Sequence, residues 1–200
     1  MFLIMKIDKK YIINDLNNLS SKLPLSIEII DADNVDVVEY GIILTKDYGQ
    51  ILFGSIDNKI CYLGFVVGNS VNEAVDKLCK RWEYAQFIRD DRKISTIFKN
   101  VFNDMNIMDI VLSGTKFQIN VWKSLCLIPE GEVTTYGLIA KYLKNELAVR
   151  AVGTAIGNNP ISILIPCHRV IKSNREIGNY LWGRDVKFKI LKLETKNISH

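Results

Sequence analysis

Five consecutive residues, Pro166-Cys167-His168-Arg169-Val170, bring a thiol, an imidazole and a guanidinium together. A thiol beside potential cations can have its pKa lowered, and the thiolate is the form that attacks carbon. Cys167 is therefore a candidate nucleophile, a description that by itself fits proteases and redox sensors as well. The apolar run before it, residues 161–165, has the length and branched side chains of a buried strand, which Pro166 would end. On that reading the strand delivers three reactive groups to its exposed end.

Cys61, Cys79 and Cys126 form no CxxC pair and no zinc spacing, and each reads as a buried small hydrophobe. His168 and His200 are the two histidines of the chain. A Cys/His metal site is therefore not expected, and no residue is assigned to a metal.

Elements able to position the reactive turn can be read around it. Thr115 and Gln118 make a capping-box pair at the head of a helix with Phe117, Val121 and Leu125 on one face. Pro129-Glu130-Gly131 breaks that helix. Thr134 or Thr135 can cap a helix over residues 136–143, and Lys144-Asn145-Glu146 turns the chain into another over residues 147–156. Two short helices joined by about three residues make a helix-turn-helix, an arrangement found in DNA-binding proteins and in many helical domains that never touch DNA. The second helix carries small residues at Ala148, Ala151, Gly153, Ala155 and Gly157, with Arg150 as its only long charged side chain. Such a helix can approach another surface closely. Its arginine could enter a DNA groove or fill the gap left by a displaced base, or the face could pack tightly with the arginine on the surface.

Residues 40–44, 50–55 and 60–66 read as three short strands, with reversals at Lys46-Asp47-Tyr48-Gly49 and Asp57-Asn58-Lys59. Ser70 with Glu73 opens a helix to about Trp82, and residues 95–105 form a second with Ile97, Phe98, Val101 and Phe102 on one face. Trp82 and Tyr84 could offer a stacking surface or simply pack. Residues 104–113 read as a connection. The expected class is α+β: an N-terminal α/β domain with a short antiparallel sheet, residues 1–105, and a mostly helical domain, residues 106–200, carrying the helix-turn-helix and the Pro-Cys-His-Arg turn.

The 200 residues, 48% hydrophobic, suit one sizeable domain or two small ones. The apolar start, residues 1–6, is too short for a signal peptide, and charges interrupt every apolar run, so a cytoplasmic protein with no membrane partner is expected. Residues 1–105 carry 13 basic and 15 acidic side chains (net −2), and residues 106–200 carry 13 and 7 (net +6). The basic half also holds the Cys-His-Arg run. That excess suits a phosphate backbone, and equally a solvated lysine-rich face.

These residues resemble the O6-alkylguanine-DNA alkyltransferases, also called methylated-DNA–protein-cysteine methyltransferases. The similarity runs from about Gly114 to Glu194, through Gly114-Thr115-Lys116-Phe117-Gln118, Ile128-Pro129-Glu130-Gly131-Glu132, Thr135-Tyr136-Gly137, Arg150-Ala151-Val152-Gly153, Asn159-Pro160, Pro166-Cys167-His168-Arg169-Val170 and Gly178-Asn179-Tyr180. Residues 38–105 resemble the family's N-terminal domain loosely. The resemblance implies direct-reversal DNA repair by a base-flipping methyltransferase that works once and needs no cofactor. A methyl or larger alkyl group would move from O6-alkylguanine in double-stranded DNA to Cys167, with O4-alkylthymine as a further candidate substrate. The protein would act as a monomer, through the minor groove, with little sequence preference.

The residues can do this chemistry. An alkyl carbon on guanine O6 needs a strong nucleophile, and the base must leave the stack to meet one. By the resemblance, Cys167 accepts the alkyl group, His168 activates it through a water, and Glu194 orients the histidine from an inward position on the terminal helix. Arg150 occupies the vacated base position, and Tyr136 helps extrude the nucleotide and donates a hydrogen bond to guanine. Asn159 ties the recognition helix to the active-site turn, Tyr180 lines the pocket, and backbone groups near Val170 and Leu181 read the base edge. Asn145 and Ser173 contact the DNA backbone, while Arg169, Ala148, Ala151 and Gly153 complete the DNA and substrate surface.

Two departures stand out. Leu181-Trp182-Gly183 follows the tyrosine where some family members carry small residues. A Leu181 N–H survives that change, but Trp182 is expected to narrow the pocket and favour methyl over benzyl adducts unless it packs outward. Without spare Cys and His, no structural zinc is expected in the N-terminal domain, and with no added transcription-factor domain, no regulatory role. The competing readings are a catalytically silent lesion-binding protein of the same fold, disfavoured by the intact Cys167, and a cysteine hydrolase, whose thiol and imidazole normally come from separate segments.

Overall fold

The computed structural model describes residues 7–17, 19, 25–68, 70–103 and 108–197. The chain forms two compact units, one of residues 24–114 with 160–162, the other of residues 1–23, 115–159 and 163–200. No helix among the described residues is long and apolar enough to cross a membrane.

The first unit is built on a six-stranded mixed sheet in the order β1-β6-β4-β3-β2-β5. Its strands are β1 (Leu25–Ile29), β2 (Val37–Thr45), β3 (Gly49–Ile56), β4 (Lys59–Phe65), β5 (Gln86–Arg89) and β6 (Met108–Leu112). The three expected strands form its antiparallel centre, β2-β3-β4. Gly49 at φ 73° and the Asp57-Asn58 pair at φ 49° and 63° make the tight reversals, conformations that Gly, Asn and Asp adopt most readily. The flanking pairs β1-β6 and β2-β5 are parallel. Residues 108–112 thus belong to the sheet rather than to a connection, and residues 104–107 lie outside the described chain.

Two helices join these strands. Helix α1 (Val71–Cys79) is capped by Ser70, which accepts the Glu73 N–H at 3.4 Å. It stops short of Trp82, which is fully buried while Tyr84 is exposed, so the two offer no shared stacking surface. Helix α2 (Asp91–Asn103) begins four residues before the expected Ser95, because Asp90 Oδ1 accepts the Lys93 N–H at 2.8 Å and serves as a cap. The last residues of the expected helix, 104 and 105, lie outside the described chain.

The expected strand over residues 161–165 does not form. Ile161 makes a single parallel bridge with Leu63, and the chain then turns through Ile163 at φ 72°. A short apolar run reports burial without fixing backbone conformation, and here it is buried in a turn.

The second unit contains α3 (Lys116–Leu125), β7 (Thr134–Thr135), α4 (Tyr136–Tyr142), α5 (Val149–Gly157), β8 (Val170–Ile171) and α6 (Arg184–Asn197). Both bonds of the Thr115/Gln118 capping box form, at 3.2 and 2.9 Å. Thr135, not Thr134, caps α4 through the Leu138 N–H at 3.3 Å. The connection from α4 to α5 is longer than the expected three residues, passing through Lys144 at φ 56° and a 3-10 turn at Glu146–Ala148. Ile119, Val121, Trp122 and Leu125 of α3 are buried in the core of this unit, as are Val152, Ala155 and Ile156 of α5. Each large side chain so buried contributes roughly 1.5–3 kcal/mol. Trp122 Nε1 donates to the Ala155 carbonyl at 2.8 Å, an approach that a small residue on α5 permits.

The N-terminal segment belongs to this second unit. Ile13 N–H donates to Val133 O and Val133 N–H to Tyr11 O, both at 2.8 Å. With β6 in the sheet and residues 1–23 here, the units part at 114/115 rather than at 105/106.

Candidate active site

Cys167–Arg169 forms one 3-10 turn rather than an extended segment. Cys167 N–H donates to Ile165 O at 2.7 Å and Arg169 N–H to Pro166 O at 3.0 Å. All three side chains are buried in the second unit. Directly after the turn, β8 pairs in parallel with β7, Val170 opposite Thr134 and Ile171 opposite Thr135. Because Thr135 also caps α4, this short ladder fixes Tyr136, the first residue of α4, relative to the reactive turn.

Glu194 of α6 organises the two residues that follow the cysteine. Its Oε1 lies 2.7 Å from His168 Nε2, and its carboxylate accepts from Arg169 Nε at 3.1 Å to each oxygen and from Nη2 at 2.7 Å. Arg169 Nη1 donates to Ile128 O at 2.7 Å. Arg169 was expected on the DNA and substrate surface, but it is buried and its guanidinium is committed to Glu194 and the Ile128 loop. Burial pushes the Glu194 carboxyl up, yet His168 and Arg169 together outweigh it and hold the acid well below the usual carboxylate range. Burial pushes His168 down against the opposing pull of Glu194. The pair therefore consists of an ionised glutamate and a neutral imidazole, with Nε2–H donating to the acid. Among the described residues His168 Nδ1 has no hydrogen-bond partner.

Cations adjacent in sequence were expected to lower the Cys167 pKa; instead burial raises it. Four influences pull the other way: a hydrogen bond from Asn159, the charge of Lys187, a hydrogen bond from Tyr180 and one from the Cys167 backbone. Asn159 Nδ2 donates to Cys167 Sγ at 3.0 Å and to Ile165 O at 2.7 Å, joining the end of α5 to the turn. The guanidinium of Arg169 is turned toward Glu194, which accounts for its absence from the forces on the thiol.

Lys187 is the residue that sequence reasoning missed. It is 1% exposed and its Nζ donates to Val170 O at 2.6 Å. Burial brings its ammonium down to about 8, against the opposing pull of Cys167. A signal was present: 187, 190, 191 and 194 follow the i, i+3, i+4, i+7 spacing of one helix face. Ile190, Leu191 and Glu194 are buried there, so a lysine in that stripe must point inward.

Tyr136 stands between two glycines. A methyl group on Gly153 would lie 3.8 Å from its ring, and one on Gly178 would lie 3.6 Å from its hydroxyl. Burial raises the tyrosine's pKa and the Cys167 charge adds to it, so the hydroxyl remains a donor facing the thiol's surroundings. Tyr180 is half-buried, and Trp182 is 4% exposed, inside the unit rather than packed outward. Val170 N–H donates to Cys167 O. Its carbonyl accepts from Lys187, so the N–H and one carbonyl lone pair are already engaged.

The remaining expected site residues lie at the surface. Arg150, Ala151, Asn145, Ser173 and Leu181 are exposed, and Ala148 and Gly153 are half-buried. The structure thus gathers Cys167, His168, Arg169, Glu194, Asn159, Tyr136 and Tyr180 around the turn and leaves the α5 face open.

A family model described as the DNA-binding domain of 6-O-methylguanine DNA methyltransferase matches residues 116–196. The chain is similar to the methylated-DNA–protein-cysteine methyltransferase of Methanosarcina mazei, 42% identical over 56% of this chain and 83% of that one. It is 37% identical to that of Methanosarcina acetivorans, over 78% of this chain and 97% of the relative. Among solved structures, Mycobacterium tuberculosis OGT in complex with DNA superimposes with a TM-score of 0.61 at 28% identity, covering 79% of this chain and 93% of that one. With the fold, the buried Cys-His-Glu arrangement and these matches in agreement, the chain belongs to the methylated-DNA–protein-cysteine methyltransferase family.

Proposed function

We propose that this protein repairs DNA by direct reversal, moving a methyl group from guanine O6 to Cys167 once per molecule. The observation that carries the reading is a buried thiol on the same 3-10 turn as a neutral imidazole bonded to Glu194, whose Nδ1 has no partner among the described residues and can accept. The thiol gives its proton through a water to His168, whose positive charge Glu194 then stabilises. Lys187, Asn159 and Tyr180 stabilise the thiolate.

Sγ attacks the methyl carbon, the carbon–O6 bond breaks with its electron pair staying on the base, and the base takes up a proton. The products are S-methylcysteine and guanine. Tyr136 donates a hydrogen bond to the departing base. The target reaches the buried thiol only as an extruded nucleotide, which costs a few kcal/mol. Arg150, on the open face of α5, fills the place it leaves. The protein works as a monomer along the minor groove, and phosphate contacts come from Asn145 and Ser173.

A single-turnover assay tests the reading. Duplex DNA carrying one isotopically labelled O6-methylguanine should pass at most one methyl group to each protein molecule, and none to Cys167→Ala. Continued turnover, or transfer by the alanine variant, would contradict it.

A further inference from the structure

The outward face of α5 and its leading turn is unusual for a surface helix. Leu147, Arg150, Ala151, Thr154, Gly157 and Asn158 are all exposed, while Val152, Ala155 and Ile156 are buried on the opposite side. A solvent-facing stripe normally carries several charges, yet within α5 this one has Arg150 alone, with the exposed Glu146 ahead of it in the leading turn. At its leading end Leu147 is 99% exposed, and Val149 beside it is 39% exposed. Leu147 and Arg150 are three residues apart and share a face where the 3-10 turn runs into the helix.

A fully exposed leucine gains nothing for the fold, and scattered single cases need no explanation. This one follows Glu146 and begins a strip whose other exposed members, Ala151, Thr154, Gly157 and Asn158, are uncharged and which is continuous with the arginine assigned above to the DNA. Lys141 and Lys144, both exposed, precede the strip in the chain and carry positive charge suited to phosphates. Proteins that open the minor groove combine such cations with apolar wedges inserted at base steps.

We infer that Leu147 is an apolar wedge that packs into the DNA minor groove beside Arg150, holding the duplex open where the nucleotide is extruded. Arg150 supplies polar contacts to the vacated position, and Leu147 covers deoxyribose and base edges that a charged residue would leave hydrated. The inference rests on the proposed function for its partner.

The experiment compares parent, Leu147→Ala and Leu147→Met on a duplex oligonucleotide carrying one O6-methylguanine, measuring affinity over a range of salt concentrations. Leu147→Ala should weaken binding about tenfold, the loss expected when one buried leucine is truncated. The dependence of log affinity on log salt should keep its slope, because an apolar contact releases no counterions. Leu147→Met should bind within about threefold of the parent, since it restores apolar volume. Thermal unfolding of each variant checks the fold.

Equal affinities of parent and Leu147→Ala would overturn the inference. So would a change of slope as large as that of Lys144→Ala, which would make the effect electrostatic. Loss of self-association with DNA affinity intact would assign the leucine to a protein contact instead. Failure of the parent to take up the methyl group would contradict the proposed function, and the binding comparison would still decide the role of Leu147.

Discussion

The Arg169 guanidinium holds both carboxylate oxygens of Glu194, with Nε 3.1 Å from each and Nη2 2.7 Å from Oε1. This grip fixes the carboxylate that in turn bonds His168, so the arginine acts on the thiol's partner and not on the thiol. Removing one member of a buried pair strands the other's charge at a cost of about 3–5 kcal/mol. Arg169→Met should lower unfolding stability by that amount in chemical denaturation. A loss below about 1 kcal/mol would show that the pair does not organise the turn.

Asn159 should couple stability to reactivity, because one side-chain nitrogen serves both Ile165 O and Cys167 Sγ. Asn159→Ala leaves a buried carbonyl without its donor, a cost of about 1–3 kcal/mol. It also removes a bond that favours the thiolate, so transfer should slow. Normal transfer by a destabilised variant would assign Asn159 a purely structural role.

Lys187 is a buried cation whose charge favours the Cys167 thiolate. Lys187→Met should raise the thiol's pKa further and slow transfer by about tenfold for each pKa unit gained. Titrating the reactivity of Cys167 toward a small electrophile reads that shift directly. An unchanged titration would confine Lys187 to its bond with Val170.

The pH dependence has a worked sign. Burial pushes the Cys167 thiol above its ordinary 9.0, so the thiolate fraction, and with it the single-turnover rate, should climb with pH through neutrality. The climb should flatten from about 8 upward, where Lys187 loses the charge that favours the thiolate. Burial holds His168 below its ordinary 6.5, so its protonation should add a further loss only at pH values under 6.5. A histidine step above 6.5 in the rate profile would contradict the neutral, Glu194-bonded imidazole.

Local signals in the sequence reached the structure where they involve a few neighbouring residues. The Thr115/Gln118 box, the three central strands and the inward Glu194 are of this kind. The parallel pairing of β1 with β6 joins segments more than eighty residues apart, and no local period records it. Residues 161–165 misled because burial and strand geometry share an apolar signature. Arg169 and Lys187 were misplaced or missed because charged side chains are usually exposed, and only their pairing with Glu194 and Val170 makes burial tolerable. At the turn, the sequence motif names the thiol, imidazole and guanidinium that the structure buries together; which cation acts on the sulfur required the turn's three-dimensional shape.

The most direct test is peptide mass spectrometry after the protein meets duplex DNA containing O6-methylguanine. The peptide containing Cys167 should gain one CH2 unit, with the peptides of Cys61, Cys79 and Cys126 unchanged. An unmodified Cys167 peptide, or the added mass on another residue, would contradict the account.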